Sequence, residues 1–230
     1  MIELFIFAIA LVYIMTWIFG LCLCLLIEIR SSKTYSNQGE NHKPQNSKRL
    51  NNYIVQFASG YEKWMIQRVS RIPSHTVRNI IYRTIFRMKI GKDVVIYSGV
   101  IFRKPSNIII GNGTIIGDRC ELDGRGGLVI GSNCNISSDV RIWTAQHDYN
   151  SSSFDYVKKN VIIGERCWIS SNCIILPGSI VQDGVVVAAG AVLTKSTEAY
   201  SVYAGIPAKR IIDRASNLTY SFNGSHDWFV

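Results

Sequence analysis

The strongest constraint on what this chain can fold into is a six-residue period running through 163–198. Hexads open on Ile163, Ile169, Ile175, Val181, Val187 and Leu193, and four places after each opening stands a thiol or another compact side chain, at Cys167, Cys173, Ser179, Val185, Ala191 and Thr197. A short fixed period of this kind marks a solenoid, in which each repeat buries against its neighbours what it cannot bury alone. A sandwich of alternating strands does not keep a six-residue phase over so many repeats.

The phase extends upstream, with openings at Ile90 and Ile96, then Ile110, Ile116 and Leu122, then Ile130, Ile136 and Ile142, making fourteen hexads in all. The step from Ile90 to Ile110 and from Ile110 to Ile130 is 20 residues, three hexads plus two, so each early coil carries a two-residue bulge, at 102–107 and at 124–128. The spacing predicts a parallel β-helix of about five triangular coils over 90–198, with aliphatic ladders inside. Glycine follows the aliphatic residue at Gly91, Gly111, Gly117, Gly131 and Gly164, where a tight corner calls for positive φ. The phase fails once, between Ile142 and Ile163, where the polar segment 148–160 is in excess and leaves as a loop. His147, the one histidine among the repeats, stands at its base.

Outside the repeats the composition changes in blocks. Segment 4–27 is 24 residues without a charge, long enough to cross a hydrocarbon core of ~30 Å, and it lacks the basic start and cleavage site of a signal peptide. The formal charge is −2 over 1–29, +12 over 30–104 and −1 over 105–230. Bases flanking the end of a span place the following body in the cytoplasm and against anionic lipid. The expected organisation is a transmembrane anchor at 1–29, a polar linker at 30–60, a basic amphipathic helical cap at 61–89, the β-helix at 90–198 with its loop 148–160, and a closing segment and tail at 199–230. The protein is thus expected in the inner (cytoplasmic) membrane, single-pass, with its body in the cytoplasm. In the cap, Ser74 starts a helix whose Val77, Ile80, Ile81, Ile85 and Met88 share one face, to cover the open end of the solenoid or to lie at a membrane interface. No nucleic-acid motif accompanies the basic stretch, so nucleic acid is not expected as a partner. Cys120, Cys134, Cys167 and Cys173 all occupy the compact position of the hexad, and there is no C-x-x-C, which fits buried reduced thiols and no metal site.

Several motifs carry a family likeness. Cys167-Trp168-Ile169, Ile175-Leu176-Pro177-Gly178, the run from Val187 to Lys195, the run from Ala204 to Lys209, and Trp143-Thr144-Ala145-Gln146-His147-Asp148 resemble the left-handed β-helix acyltransferases of the hexapeptide-repeat class. The resemblance is closest to the galactoside and maltose O-acetyltransferase type, especially members acting on capsule or exopolysaccharide sugars, and it covers about 72–212. It implies a homotrimer with sites between neighbouring subunits, acetyl-CoA as co-substrate, and a loop histidine, here His147, as base. It further implies that Trp168 and Trp143 line the acceptor cleft and that Ser171 stands near the thioester oxygen. Ala189, Gly190 and Lys195 would border the pantetheine and phosphate path, with Pro207, Lys209 and Arg210 closing over the nucleotide end.

The residues themselves support this chemistry. A sugar hydroxyl is barely ionised at neutral pH, and a histidine, with an ordinary pKa near ~6.5, suits the taking and returning of its proton. Asp148, Asp123 and Asp155 are the carboxylates available to orient His147, with a backbone carbonyl as the alternative. Lys195, Lys209 and Arg210 are natural phosphate partners, and Trp168, one place after an inward cysteine, points outward. There is no G-x-S-x-G motif, and buried thiols make poor nucleophiles, so direct transfer is expected. The resemblance implies that the acceptor is a sugar hydroxyl of a bacterial surface-polysaccharide or lipopolysaccharide precursor, lipid-linked or nucleotide-linked. The alternatives are N-acylation of an amino sugar and a non-catalytic membrane scaffold; a zinc enzyme of the carbonic-anhydrase-like kind would need three histidines.

Overall fold

A computed structural model describes residues 11, 14–27 and 45–227. The chain divides into two compact units, Met1–Ile66 and Gln67–Val230. In the first, residues 14–27 are helical, and a second helix, α1 (Gln45–Val69), runs on into the second unit. Gly20 lets the two helices of the first unit approach, since a Cβ there would sit 2.7 Å from the Tyr61 hydroxyl and 3.0 Å from Met65 Sδ.

Two expectations are corrected here. Among the described residues no helix is long and apolar enough to cross a membrane. The assignment to the inner membrane as a single-pass protein with a cytoplasmic body therefore does not stand; 4–10, 12 and 13 lie outside the described residues. The polar linker expected at 30–60 is helical from Gln45, and 30–44 lie outside the described residues.

The second unit is a parallel β-helix with three faces. The first face stacks Lys89–Ile90, Ile108–Ile110, Leu128–Ile130, Val161–Ile163 and Ile180–Val181. The second stacks Val95–Ile96, Ile115–Ile116, Asn135–Ile136, Trp168–Ile169 and Val186–Val187, and ends on the antiparallel pair Ser201–Ala204 and Lys209–Asp213. The third stacks Ile101–Arg103, Glu121–Asp123, Arg141–Ile142, Ile174–Ile175 and Val192–Leu193. The ladders follow the hexad phase: Ile90 pairs with Ile110, Ile110 with Ile130, Ile130 with Ile163 and Ile163 with Val181. The openings from Ile96 onward are buried, and so are Cys120, Cys134, Cys167 and Cys173. Phe102 is an inner rung that the hexad count passes over; it pairs with Leu122, and its ring meets Tyr82 edge-on at 5.0 Å.

The glycines after the aliphatic residues serve stacking, not positive φ. A Cβ on Gly111 would lie 2.6 Å from the Gly131 carbonyl carbon, and one on Gly131 would lie 2.5 Å from the Gly164 oxygen. The left-handed residue sits two places later, at Asp93, Gly113, Arg119, Asn133, Asp139, Arg166, Asn172, Gly178, Gly184 and Gly190. Aspartate and asparagine tolerate that conformation better than most residues.

The end of the helix is capped by α2 (His75–Thr84), whose N-cap Ser74 accepts from the Val77 N–H. Its inward face is the polar one, opposite to the expected arrangement: His75, Arg78, Asn79 and Tyr82 are buried, while Val77 and Ile80 are exposed. The reason is the strand edge beneath. Carbonyls of each later coil accept N–H groups from the coil before, as Ile110 accepts from Gly91 and Ile116 from Tyr97; the first coil has no coil before it. Arg78 supplies the missing donor to Ile96 O at 2.7 Å, Asn79 to Val94 O at 2.8 Å and Arg83 to Gly91 O at 2.6 Å. Leaving such acceptors unmet costs ~1–3 kcal/mol each.

The tail returns along the edge between the first and second faces. Arg214 donates to the Gly184 and Arg166 carbonyls, the Tyr220 hydroxyl to Arg166 O, and the Phe222 N–H to Asn133 Oδ1. Gly224 passes against Asp93, and the His226 ring lies 4.1 Å from that of His75 on the cap.

Candidate active site

The loop that breaks the hexad phase leaves from the edge between the third and first faces as an antiparallel hairpin, Ala145–His147 against Tyr156–Lys158. Its root is fixed by Asp123, the last residue of the strand Glu121–Asp123 on the coil below. The Asp123 carboxylate is fully buried; it accepts the Thr144 N–H at 3.0 Å and the Arg125 guanidinium at 2.9 and 3.0 Å, while its backbone carbonyl accepts the Thr144 hydroxyl. Burial alone would raise its pKa, but the Arg125 side chain and the N–H groups of Arg125 and Thr144 outweigh it and hold the group below the usual carboxylate range. Asp123 therefore anchors the strand that carries His147 and does not touch the imidazole.

His147 is exposed and is paired across the hairpin with Tyr156. Its Nδ1 lies 2.8 Å from the Phe154 carbonyl oxygen. A carbonyl only accepts, so Nδ1 carries the proton in the neutral ring and Nε2 presents its lone pair. The Phe154 ring lies flat on the imidazole, 3.9 Å between centroids at 9°, and Tyr156 stands 5.6 Å away. The orienting group is thus a backbone carbonyl. Asp148 receives the Asn150 N–H, and Asp155 receives the Ser151 and Ser153 hydroxyls, so neither carboxylate is the ring's hydrogen-bond partner. Phe154, Tyr156 and Arg125 stand in no motif of the sequence that marks them as neighbours of this site. The signal available was two aromatic residues flanking Asp155 in an otherwise polar loop.

Around the hairpin, Arg125 lies 5.8 Å from the centroid of the Tyr156 ring and Arg103 5.0 Å from that of Trp143. Trp143 therefore shares the edge of His147. Trp168 does not: it stands on the outer surface of the second face, 47% exposed, with its indole N–H on Ser137 Oγ at 3.1 Å. Ser171, Ala189 and Gly190 come together at the edge between the second and third faces, where the Gly190 N–H donates to Ser171 O at 3.0 Å. The turn containing Gly205 and Pro207 continues this edge, since the Val192 N–H donates to Gly205 O and the Ala208 N–H to Val192 O. Lys195 is exposed after the last strand of the third face, and Lys209 is exposed on the final strand. Arg210, also on that strand, is engaged by Glu198 and Asp213. In one chain, then, His147 occupies one edge of the prism, and Ser171, Ala189 and Gly190 occupy another.

The buried thiols of Cys120, Cys134 and Cys173 are held toward the protonated form. Burial pushes Cys120 up to about 12, and Cys134 is raised by its contact with the Cys167 thiol and by burial. Their Sγ atoms point at carbonyls of the adjoining coil, Cys134 at Gly164 O and Cys173 at Ala188 O.

Comparison with known proteins agrees with the geometry. Residues 160–195 match the family described as bacterial transferase hexapeptide (six repeats). The chain is 35% identical over 130 residues to the "Putative colanic acid biosynthesis acetyltransferase WcaF" of Escherichia coli (strain K12), covering 56% of this chain and 71% of that one. Its fold is similar to that of a maltose O-acetyltransferase from Clostridium difficile 630 (TM-score 0.62, 23% identity, 70% of this chain and 89% of the other). It is also similar to the hexapeptide-repeat acetyltransferase VCA0836 of Vibrio cholerae O1 biovar eltor complexed with acetyl coenzyme A (TM-score 0.62, 19% identity, 70% and 90%). With a hexad-built β-helix, a histidine-bearing hairpin at its one phase break, and a relative matched over most of its length, the chain belongs to the hexapeptide-repeat family of bacterial acyltransferases.

Proposed function

We propose that the protein transfers an acetyl group from acetyl-CoA directly to a hydroxyl of a sugar in a bacterial surface-polysaccharide or lipopolysaccharide precursor, with His147 as general base. The observation that carries this reading is the Nδ1 contact to Phe154 O, which leaves Nε2 of an exposed imidazole as a proton acceptor. The acceptor O–H gives its proton to Nε2 as its oxygen attacks the thioester carbonyl. The tetrahedral oxyanion collapses, the C–S bond breaks, and the proton passes from Nε2 to the departing thiolate. An oxyanion donor contributes ~3–4 kcal/mol in comparable sites, and Ser171 or a corner N–H beside it takes that role here. The relative named for colanic acid biosynthesis supports a polysaccharide acceptor, and the neighbour complexed with acetyl coenzyme A supports the donor.

The acetyl-CoA path follows Ser171, Ala189, Gly190 and the turn at Pro207, with Lys195, Lys209 and Arg210 toward the phosphates. Because His147 and this path lie on different edges of one chain, the complete site joins two copies in a homotrimer. In support, the outer surface of the first face carries a ladder of Ile109, Val129, Ile162 and Ile180, of which Ile109, Val129 and Ile180 are 37–39% exposed. Trp168 and Trp143 line the acceptor cleft in this arrangement.

Acetyl transfer to a panel of surface-sugar precursors, each tested with its hydroxyls and any amine individually blocked, tests the reading. Transfer to a hydroxyl with no acetyl-labelled protein is expected; a competent acetyl-enzyme would refute direct transfer. A true co-substrate site also raises stability by ~2.7 kcal/mol at 100 times its Kd, whereas a scaffold shows no shift.

A further inference from the structure

Phe154 combines two unfavourable features for a phenylalanine. Its φ is 55°, in the left-handed region that side-chain-bearing residues avoid, and its ring is 67% exposed. A residue held in such a conformation persists only where its surroundings impose it. The surroundings are a closed set of hydrogen bonds within the loop. The Asp155 carboxylate accepts the Ser151 hydroxyl at 2.8 Å and the Ser153 hydroxyl at 2.9 Å. Ser151 Oγ in turn accepts the N–H groups of Ser153 and Asp155, both at 3.2 Å. The Phe154 N–H reaches Ser151 O at 3.2 Å, and the Asp148 N–H closes the loop on Asp155 O at 2.8 Å. The residues on either side of Phe154 are therefore tied to Ser151, and the peptide between Phe154 and Asp155 keeps its carbonyl turned back onto His147 Nδ1.

We propose that Asp155 is a positioning residue for His147, acting through Phe154: its carboxylate and the two serine hydroxyls fix the turn that aims the Phe154 carbonyl at Nδ1 and so select the ring tautomer with a basic Nε2. This rests on the reading of His147 as the base. Asp155 touches neither the imidazole nor any reacting atom. The Ser151 and Ser153 hydroxyls keep its carboxyl below the usual carboxylate range, so the contacts are in place throughout the neutral range.

The test uses the full-length protein with Asp155→Ala, Asp155→Asn, Phe154→Gly and His147→Ala, read by steady-state kinetics and by ¹⁵N NMR of the His147 ring. Wild type is expected to show the Nδ1–H tautomer. Asp155→Ala is expected to lose this tautomer and to lower kcat by roughly ten- to a hundred-fold, the scale on which a small misplacement of a reacting group is felt, with KM for acetyl-CoA unchanged. Asp155→Asn, whose amide can still bond both hydroxyls, recovers both. Phe154→Gly, at ease with positive φ, keeps the carbonyl and the tautomer while losing the ring, separating stacking from aiming. The inference is overturned if Asp155→Ala keeps tautomer and kcat, or if kcat falls with the tautomer unchanged. Full activity of His147→Ala would instead remove the base assignment itself.

Discussion

A backbone carbonyl, that of Phe154, holds the Nδ1 proton of His147 where three carboxylates stood within a few residues in sequence or one coil away. A carboxylate would stabilise the charged ring more strongly and so hold the proton on it; a carbonyl sets the tautomer with less bias toward charge. On the cap, His75 is buried at the start of α2 against the tail, and its pKa is lowered to about 4, by burial first and then by Arg78 and His226. Between that value and the ordinary value near ~6.5, the unfolded chain binds a proton that the folded one does not, so stability falls as pH drops through this window and levels off below it. Melting curves from pH 7.5 to 4 are expected to show this decline, reduced in His75→Gln; an unchanged slope in that variant contradicts the assignment to His75. Arg78→Met should cost ~1–3 kcal/mol in urea unfolding, because it leaves the Ile96 carbonyl without its donor.

At the scale of elements, the coils obey two demands that the hexad spells differently. The inner aliphatic residue sets the ladder, and the residue after it must leave room for the next coil. Gly131→Ala would put a methyl 2.5 Å from the Gly164 oxygen, a backbone atom that cannot step aside. A loss of ~2–3 kcal/mol is expected by chemical denaturation, of the size seen on overpacking, and a neutral result would mean that the coils can slide apart. Inner ladders, bulges and the phase break were legible because burial repeats with the coil. The cap was legible as a helix but not in its orientation: periodicity reports where apolar side chains lie, and the need for donors above a bare strand edge appears only once the edge is built. Asp123 was legible as one of three candidate partners of His147, but not as the anchor of Thr144, a contact that crosses one coil. The tail, from Arg214 to His226, carries no period at all. Its partners are corner residues scattered from Gly184 to His75, which only the folded solenoid brings into line.

At the scale of the whole molecule, the His147 edge and the Ser171–Gly190 edge are different edges of one chain, and the reaction as proposed draws on two copies. Co-expressing His147→Ala with Ala189→Trp, each inactive alone, should restore about a quarter of the sites of a randomly mixed symmetric trimer. No restoration, with mixed assemblies confirmed by native mass spectrometry, would mean that each site is built from one copy. The assignment of His147 as the base is tested most directly by kcat for acetyl transfer from acetyl-CoA in His147→Ala at saturating substrates. General-base catalysis predicts a fall of roughly 10²–10⁴-fold with acetyl-CoA binding intact, and a kcat within a few-fold of wild type would contradict it.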